Sequence, residues 1–85
     1  MSDQPHEVVG EQLTRIISLL VDTPEEVHLS AGRERSVTVF RARVDDEDLG
    51  QLIGRQGRTA RALRTLLDVR GSRDDSRYGL DIRES

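Results

Sequence analysis

The stretch LIGRQGRTARALRTLL, residues 52–67, holds four arginines and no acid in a chain whose formal net charge is −3. Within it, Gly54 and Gly57 enclose only Arg55 and Gln56. Gly54 suits the end of one helix, where a positive φ costs glycine little, and Gly57 lets the chain turn at once into the next. The spacing predicts a tight corner between two helices. Such a corner is ordinary by itself, so its neighbours decide what it is for.

Downstream, residues 58–67 wind Ala60, Leu63, Leu66 and Leu67 onto one helical face, the expected core side. Arg58 and Arg61 fall nearly opposite, and Arg64 lies at the margin. Solvated faces normally mix both signs of charge, yet no acid occurs from Leu49 through Leu67. The free N–H groups and positive dipole end of this helix face the same space as Arg55 and Gln56, which makes a ready anion site. Ile53, just before the loop, sets an aliphatic side chain beside that site. Phosphates gripped on one side, with bases resting on aliphatic surface on the other, fit single-stranded nucleic acid.

The flanking elements follow from periodicity. Residues 5–21 predict an amphipathic helix with Val9, Leu13, Ile16, Ile17 and Leu20 on one face and Pro5 in its first turn. DTPEE (22–26) breaks that pattern, and VHLSA (27–31) alternates like a short strand. GRER (32–35) supplies a turn, and the β-branched SVTVFRARV (36–44) pairs back as a hairpin, with Phe40, Ala42 and Val44 toward the core. Asp45 is a suitable N-cap for a helix over 46–53, whose acidic start the helix dipole favours. The helix after the loop spans 58–70 and stops at Gly71; GSRDDS (71–76) is a loop and YGLDIRE (78–84) a last strand. The expected fold is α+β in the order α-β-β-α-α-β, a three-stranded sheet with helices on one face. Residues 1–4 read as a short flexible N-terminus and 5–84 as one domain.

Composition narrows the chemistry. At 85 residues the chain supports one domain with a modest core. Cysteine is absent, which removes disulfides, thiolate metal sites and thiol nucleophiles. All 13 basic residues are arginine, which removes Walker, Schiff-base and general-base lysines. His6 and His28 lack metal-ligand spacing and read as surface or edge residues. The acids at 45–48 and 74–75 read as a helix start and a loop, so no enzyme, metal or cofactor is expected. The N-terminus has no basic segment followed by an apolar run, and no apolar stretch is long enough to span a bilayer. A soluble, cytoplasmic, membrane-free protein is the expectation.

IGRQGR between two helices, in a β-α-α-β setting, resembles the I-G-x-x-G signature of a KH domain, whose loop clamps about four backbone nucleotides. A helix and strand ahead of that unit resemble the type II order common in bacteria. Over residues 6–83, and above all in DLGQLIGRQGRTARALRTLL (48–67), the chain is similar to small bacterial single-KH-domain RNA-binding proteins of the KhpA type. The resemblance implies that Gly54, Arg55, Gln56 and Gly57 clamp nucleotides and that Ile53 lines the base groove. Arg58, Arg61 and Arg64 would add charge along the following helix. It further implies a cytoplasmic RNA chaperone and post-transcriptional regulator that pairs with itself and with a larger KH-containing protein of the KhpB type, with links to cell shape and cell-wall biogenesis.

Two features depart from the family pattern. Arginine stands in the loop where lysine is frequent, which keeps the charge and adds planar, bidentate phosphate contacts. DDED (45–48) is acidic beside an RNA groove: facing the groove it weakens binding, and capping the helix it changes little. Two other functions fit the same residues. One is a protein-interaction module with weak or no RNA binding, for which Ala62 and Val69, away from the main apolar face, are candidate contacts. The other is a DNA-reading helix-turn-helix presenting Arg58 and Arg61. One tyrosine (Tyr78) and one phenylalanine (Phe40) leave no aromatic platform for stacking bases.

Overall fold

The computed structural model describes residues 5–84, apart from the side chains of Pro5 and Arg55. The flexible terminus expected over residues 1–4 lies outside the described residues. Helix α1 (Pro5–Leu20) and a 3-10 turn (Pro24–Glu26) lead into strands β1 (His28–Glu34) and β2 (Val37–Val44). Helices α2 (Asp46–Ile53) and α3 (Arg58–Asp74) follow, and β3 (Arg77–Glu84) closes the chain.

Strand β2 is central, antiparallel to β1 and parallel to β3. A parallel pair needs a long crossover, and the α2–loop–α3 unit supplies it. Phe40, Ala42 and Val44 alternate onto one face of β2 and are buried with Tyr78 and Leu80 of β3. Val9, Leu13 and Ile17 of α1, Leu52 of α2, and Leu63 and Leu67 of α3 complete this core. On the other face of β2, Val39 and Arg41 are half-buried and Arg43 is exposed. The α+β architecture and element order match the expectation. Among the described residues no helix is long and apolar enough to cross a membrane.

Several boundaries differ from the sequence reading. β1 starts at His28 and runs through Glu34, so only Arg35 and Ser36 remain as the hairpin turn, with Arg35 at φ 58°. Helix α3 does not stop at Gly71 but continues to Asp74. The reason Gly71 lacks a side chain is close packing: a Cβ there would lie 2.7 Å from the Ser76 carbonyl oxygen. The left-handed cap is Asp75 (φ 54°, ψ 44°), and the Ser76 N–H donates back to the Gly71 carbonyl at 2.8 Å. Aspartate tolerates that conformation better than most residues. Ile16, Leu20 and Leu66, expected on core faces, are exposed, while Ile17 and Leu67, expected there with them, are buried.

Asp48, read only as part of a helix start, is 1% exposed. Its two carboxylate oxygens accept from the Asp22 and Thr23 N–H groups, each at 3.0 Å. It thereby satisfies the backbone where the chain leaves α1 and fixes α2 against that turn. At the other end of the core, Asp74 accepts from Tyr78 Oη (2.8 Å) and Arg70 Nε (3.1 Å), while Arg70 Nη1 donates to Gln12 of α1 at 2.8 Å. Burial, and then the bond to and charge of Asp74, raise the Tyr78 pKa. Tyr78 and Phe40, ring centres 5.6 Å apart, are a core pair.

Candidate nucleic-acid interface

Between α2 and α3 the backbone turns through Gly54 (φ 57°, ψ −167°), Gln56 (φ 59°, ψ 23°) and Gly57 (φ 67°, ψ 26°). The Gly54 conformation is one that glycine almost alone adopts, and a Cβ there would also crowd the Gln51 carbonyl at 3.1 Å. Gly57 is needed for its φ rather than for room, since nothing lies within 4 Å of where its Cβ would be. Gln56 is held left-handed from outside. The Nη2 of Arg61, one turn into α3, donates to its carbonyl at 3.1 Å. Both glycines therefore end and restart helices as the sequence predicts, and the positive φ of Gln56 is an additional finding.

The loop opens onto the N-terminus of the 17-residue α3, whose first turn contains no acid. Its free N–H groups and dipole favour an anion there. Arg58 is exposed, and its side chain has no hydrogen bond or ion pair among the described residues. Ile53, 47% exposed, stands beside the loop as expected. The Arg55 side chain, also expected here, lies outside the described residues. Arg64 is placed differently: its Nε and Nη2 both donate to the Leu80 carbonyl, at 3.3 and 3.2 Å. It ties α3 to strand β3 as well as adding charge on that side. Nothing in the sequence marks this pairing, because it depends on how β3 registers beneath α3.

The acidic run sits at the far end of α2, about 12 Å along the axis from the loop for a helix of that length. Asp45 caps α2, accepting from the Glu47 N–H at 3.3 Å, and Asp48 turns inward. Asp46 lies against Glu84 and, through a carboxyl hydrogen bond and like charge, raises the Glu84 pKa. These roles are structural. Among the described residues, no group of three or more potential metal ligands comes together.

A second surface is apolar. Ala62, Leu66 and Val69 form an exposed stripe along α3, with Leu66 and Val69 each 56% exposed. Val8, Ile16, Leu19 and Leu20 of α1 are also exposed. A cleft of about 170 Å³ lies between the two helices, with Ile16 and Leu66 on its rim.

A left-handed glycine loop between two helices, set in α-β-β-α-α-β order with a parallel β2–β3 pair, defines a KH domain of type II order. The hairpin ahead of α2 and the parallel strand after α3 separate it from a helix-turn-helix. A profile of the KhpA/KhpB KH domain matches residues 10–82, and the chain belongs to that family, a binding family rather than an enzyme family. It is 42% identical over 74 residues to the RNA-binding protein KhpA of Chlamydia trachomatis, covering 87% of this chain and 95% of that one. Its identity to the RNA-binding protein KhpA of Listeria monocytogenes is 38% over 74 residues (87% and 97% covered). For the same-named protein of Treponema pallidum it is 40% over 72 residues (85% and 90%).

Proposed function

We propose that this protein binds single-stranded RNA without catalysis. Phosphates meet the Gly54-Arg55-Gln56-Gly57 loop and the first turn of α3, and bases rest on Ile53. One observation carries the reading: three left-handed residues, braced by Arg61, present a preformed loop at an acid-free helix N-terminus. Backbone amides gathered this way hold phosphate without reading sequence, so the binding is permissive. The description of the relatives as RNA-binding proteins supports the same conclusion. A cytoplasmic chaperone or post-transcriptional role is what membership of the KhpA/KhpB family implies for such a binder.

One short clamp provides little contact area, so useful affinity requires a second domain nearby. The exposed stripe of Ala62, Leu66 and Val69, with Ile16 of α1 across the cleft from it, supports pairing with a second copy of this chain, and a larger KH-containing protein would use the same face.

The test of RNA binding is the double substitution Arg55→Asp/Gln56→Asp. Aspartate tolerates both the left-handed φ of position 56 and a place before a helix N-terminus, so the fold is retained. The change reverses the charge where phosphates approach, and affinity for single-stranded RNA falls by about tenfold or more. Unchanged affinity in the folded variant sinks the clamp and leaves the protein-interaction module as the better reading.

A further inference from the structure

Helix α3 carries a second potential ligand site at its other end, about 25 Å along its axis from the glycine loop. There the β1–β2 turn and the α3–β3 connection border an open cleft of about 490 Å³, lined by Arg33, Ser36, Ser72, Asp75, Ser76 and Arg77 among others. That volume falls in the range of small-molecule sites, about 300–1,000 Å³.

The charges around it are unevenly satisfied. Glu34 is engaged by Arg41, and Asp74 by Arg70 and Tyr78. The side chains of Arg33 and Arg77 have no ion pair or hydrogen bond among the described residues. Two guanidinium groups therefore line one cleft with the carboxylate of Asp75, and Asp68 stands with Arg77 in the adjoining cleft. The hydroxyl of Ser76 already donates to the Asp74 carbonyl at 3.2 Å, whereas those of Ser36 and Ser72 have no partner among the described residues and remain available as donors. A bare anion would meet Asp75 and the negative end of the α3 dipole. A ligand carrying both an anion and a hydroxyl donor uses the whole lining, because a carboxylate is the usual acceptor for a ribose hydroxyl.

We propose that this cleft binds a ribonucleotide. Its phosphate lies between Arg33 and Arg77 with the Ser36 and Ser72 hydroxyls, and its ribose 2′-hydroxyl donates to Asp75. The nucleotide is either free or part of the RNA strand held at the loop. Only the second source rests on the RNA reading above.

Titrating the isotope-labelled protein with AMP and with 2′-deoxy-AMP, followed by amide chemical shifts, tests this. AMP should move the amides of Ser36, Ser72 and Arg77, equally in the wild type and in the Arg55→Asp/Gln56→Asp variant. Arg33→Ala/Arg77→Ala replaces two exposed side chains and should weaken AMP binding by about tenfold, the equivalent of a charge-assisted hydrogen bond. Deoxy-AMP should bind several-fold more weakly than AMP. AMP shifts confined to residues 54–58, or unchanged AMP affinity in the arginine variant, overturn the site; equal binding of the two nucleotides overturns the Asp75 contact. An RNA of about twelve nucleotides that loses affinity in the arginine variant, beside one of about four that does not, identifies the strand as the source. Both RNAs unaffected, with AMP binding lost, identifies a free nucleotide.

Discussion

Arg61 Nη2 donates to the Gln56 carbonyl at 3.1 Å, so the helix that follows the glycine loop also holds it. Gln56 sits at φ 59°, a conformation that costs a residue of its kind about 1–3 kcal/mol and persists only where its surroundings impose it. Arg58, one turn earlier, has no such partner among the described residues. Replacing either with alanine removes one charge and should flatten the log–log salt dependence of RNA binding by about 0.7. Arg61→Ala should cost more affinity than Arg58→Ala, because it also releases the loop. Anisotropy titrations over a range of salt measure both, and equal losses show that Arg61 acts through charge alone.

Asp48 should contribute to stability and not to binding, since it is buried and both its carboxylate oxygens are engaged by backbone N–H groups. Asp48→Ala leaves the N–H groups of Asp22 and Thr23 without their acceptor in a part-buried turn and empties a buried position, at about 2–4 kcal/mol. Thermal melting should show a large fall in Tm, while the protein that remains folded binds RNA as before. A variant with normal Tm and weakened RNA binding would place Asp48 at the interface.

What the sequence made legible was what local chemistry determines. The glycine spacing located the loop, β-branched alternation located β2, and Asp45 capped α2 as its position predicts. The hidden features depend on residues that meet only after folding. Asp48 reaches back 26 residues to Asp22, and Arg64 finds the carbonyl of Leu80, 16 residues on. Gly71 looks like a stop signal because glycine commonly caps helices, yet its reason is the approach of Ser76. Leu66 and Leu67 are indistinguishable as apolar residues at helical spacing; the packing of α3 against β3 decides that Leu67 goes inside.

Gly71 and Gly50 should respond oppositely to alanine. At Gly71 the new methyl would stand 2.7 Å from a backbone oxygen, so α3 or the turn at Ser76 must shift, and the protein is destabilised by about 1–3 kcal/mol. At Gly50, inside α2, nothing lies within 4 Å of the new methyl. Helix propensity alone then stabilises by about 0.5–1 kcal/mol. Chemical denaturation of the two variants gives the signs directly, and a harmless Gly71→Ala refutes the close-packing account of that glycine.

Alkaline pH should weaken the fold through Tyr78. Its pKa is raised above 10.0 by burial and by Asp74, so the folded state keeps a proton that the unfolded state releases first. The stability linked to that proton is complete below about pH 10 and is lost as pH rises from there through the folded value. Tyr78→Phe removes the titration and the bond to Asp74 together. Its Tm should be lower near neutrality but fall less steeply between about pH 9 and 11. Parallel pH profiles for the two proteins would remove Tyr78 as the linked group.

Leu66 connects the two surfaces of α3. It is 56% exposed in line with Val69, on the helix whose N-terminus carries the glycine loop. Leu66→Glu removes apolar area from the exposed stripe but fills no core position, so stability should change by no more than about 0.5 kcal/mol. Self-association should weaken markedly, as seen by sedimentation across protein concentration. Pairing two clamps raises the effective concentration of the second, so an RNA of about twelve nucleotides should lose affinity. One of about four nucleotides, which a single clamp fills, should not. Unchanged sedimentation moves the pairing surface away from α3. Loss of affinity for the short RNA as well means instead that the stripe is part of the RNA interface.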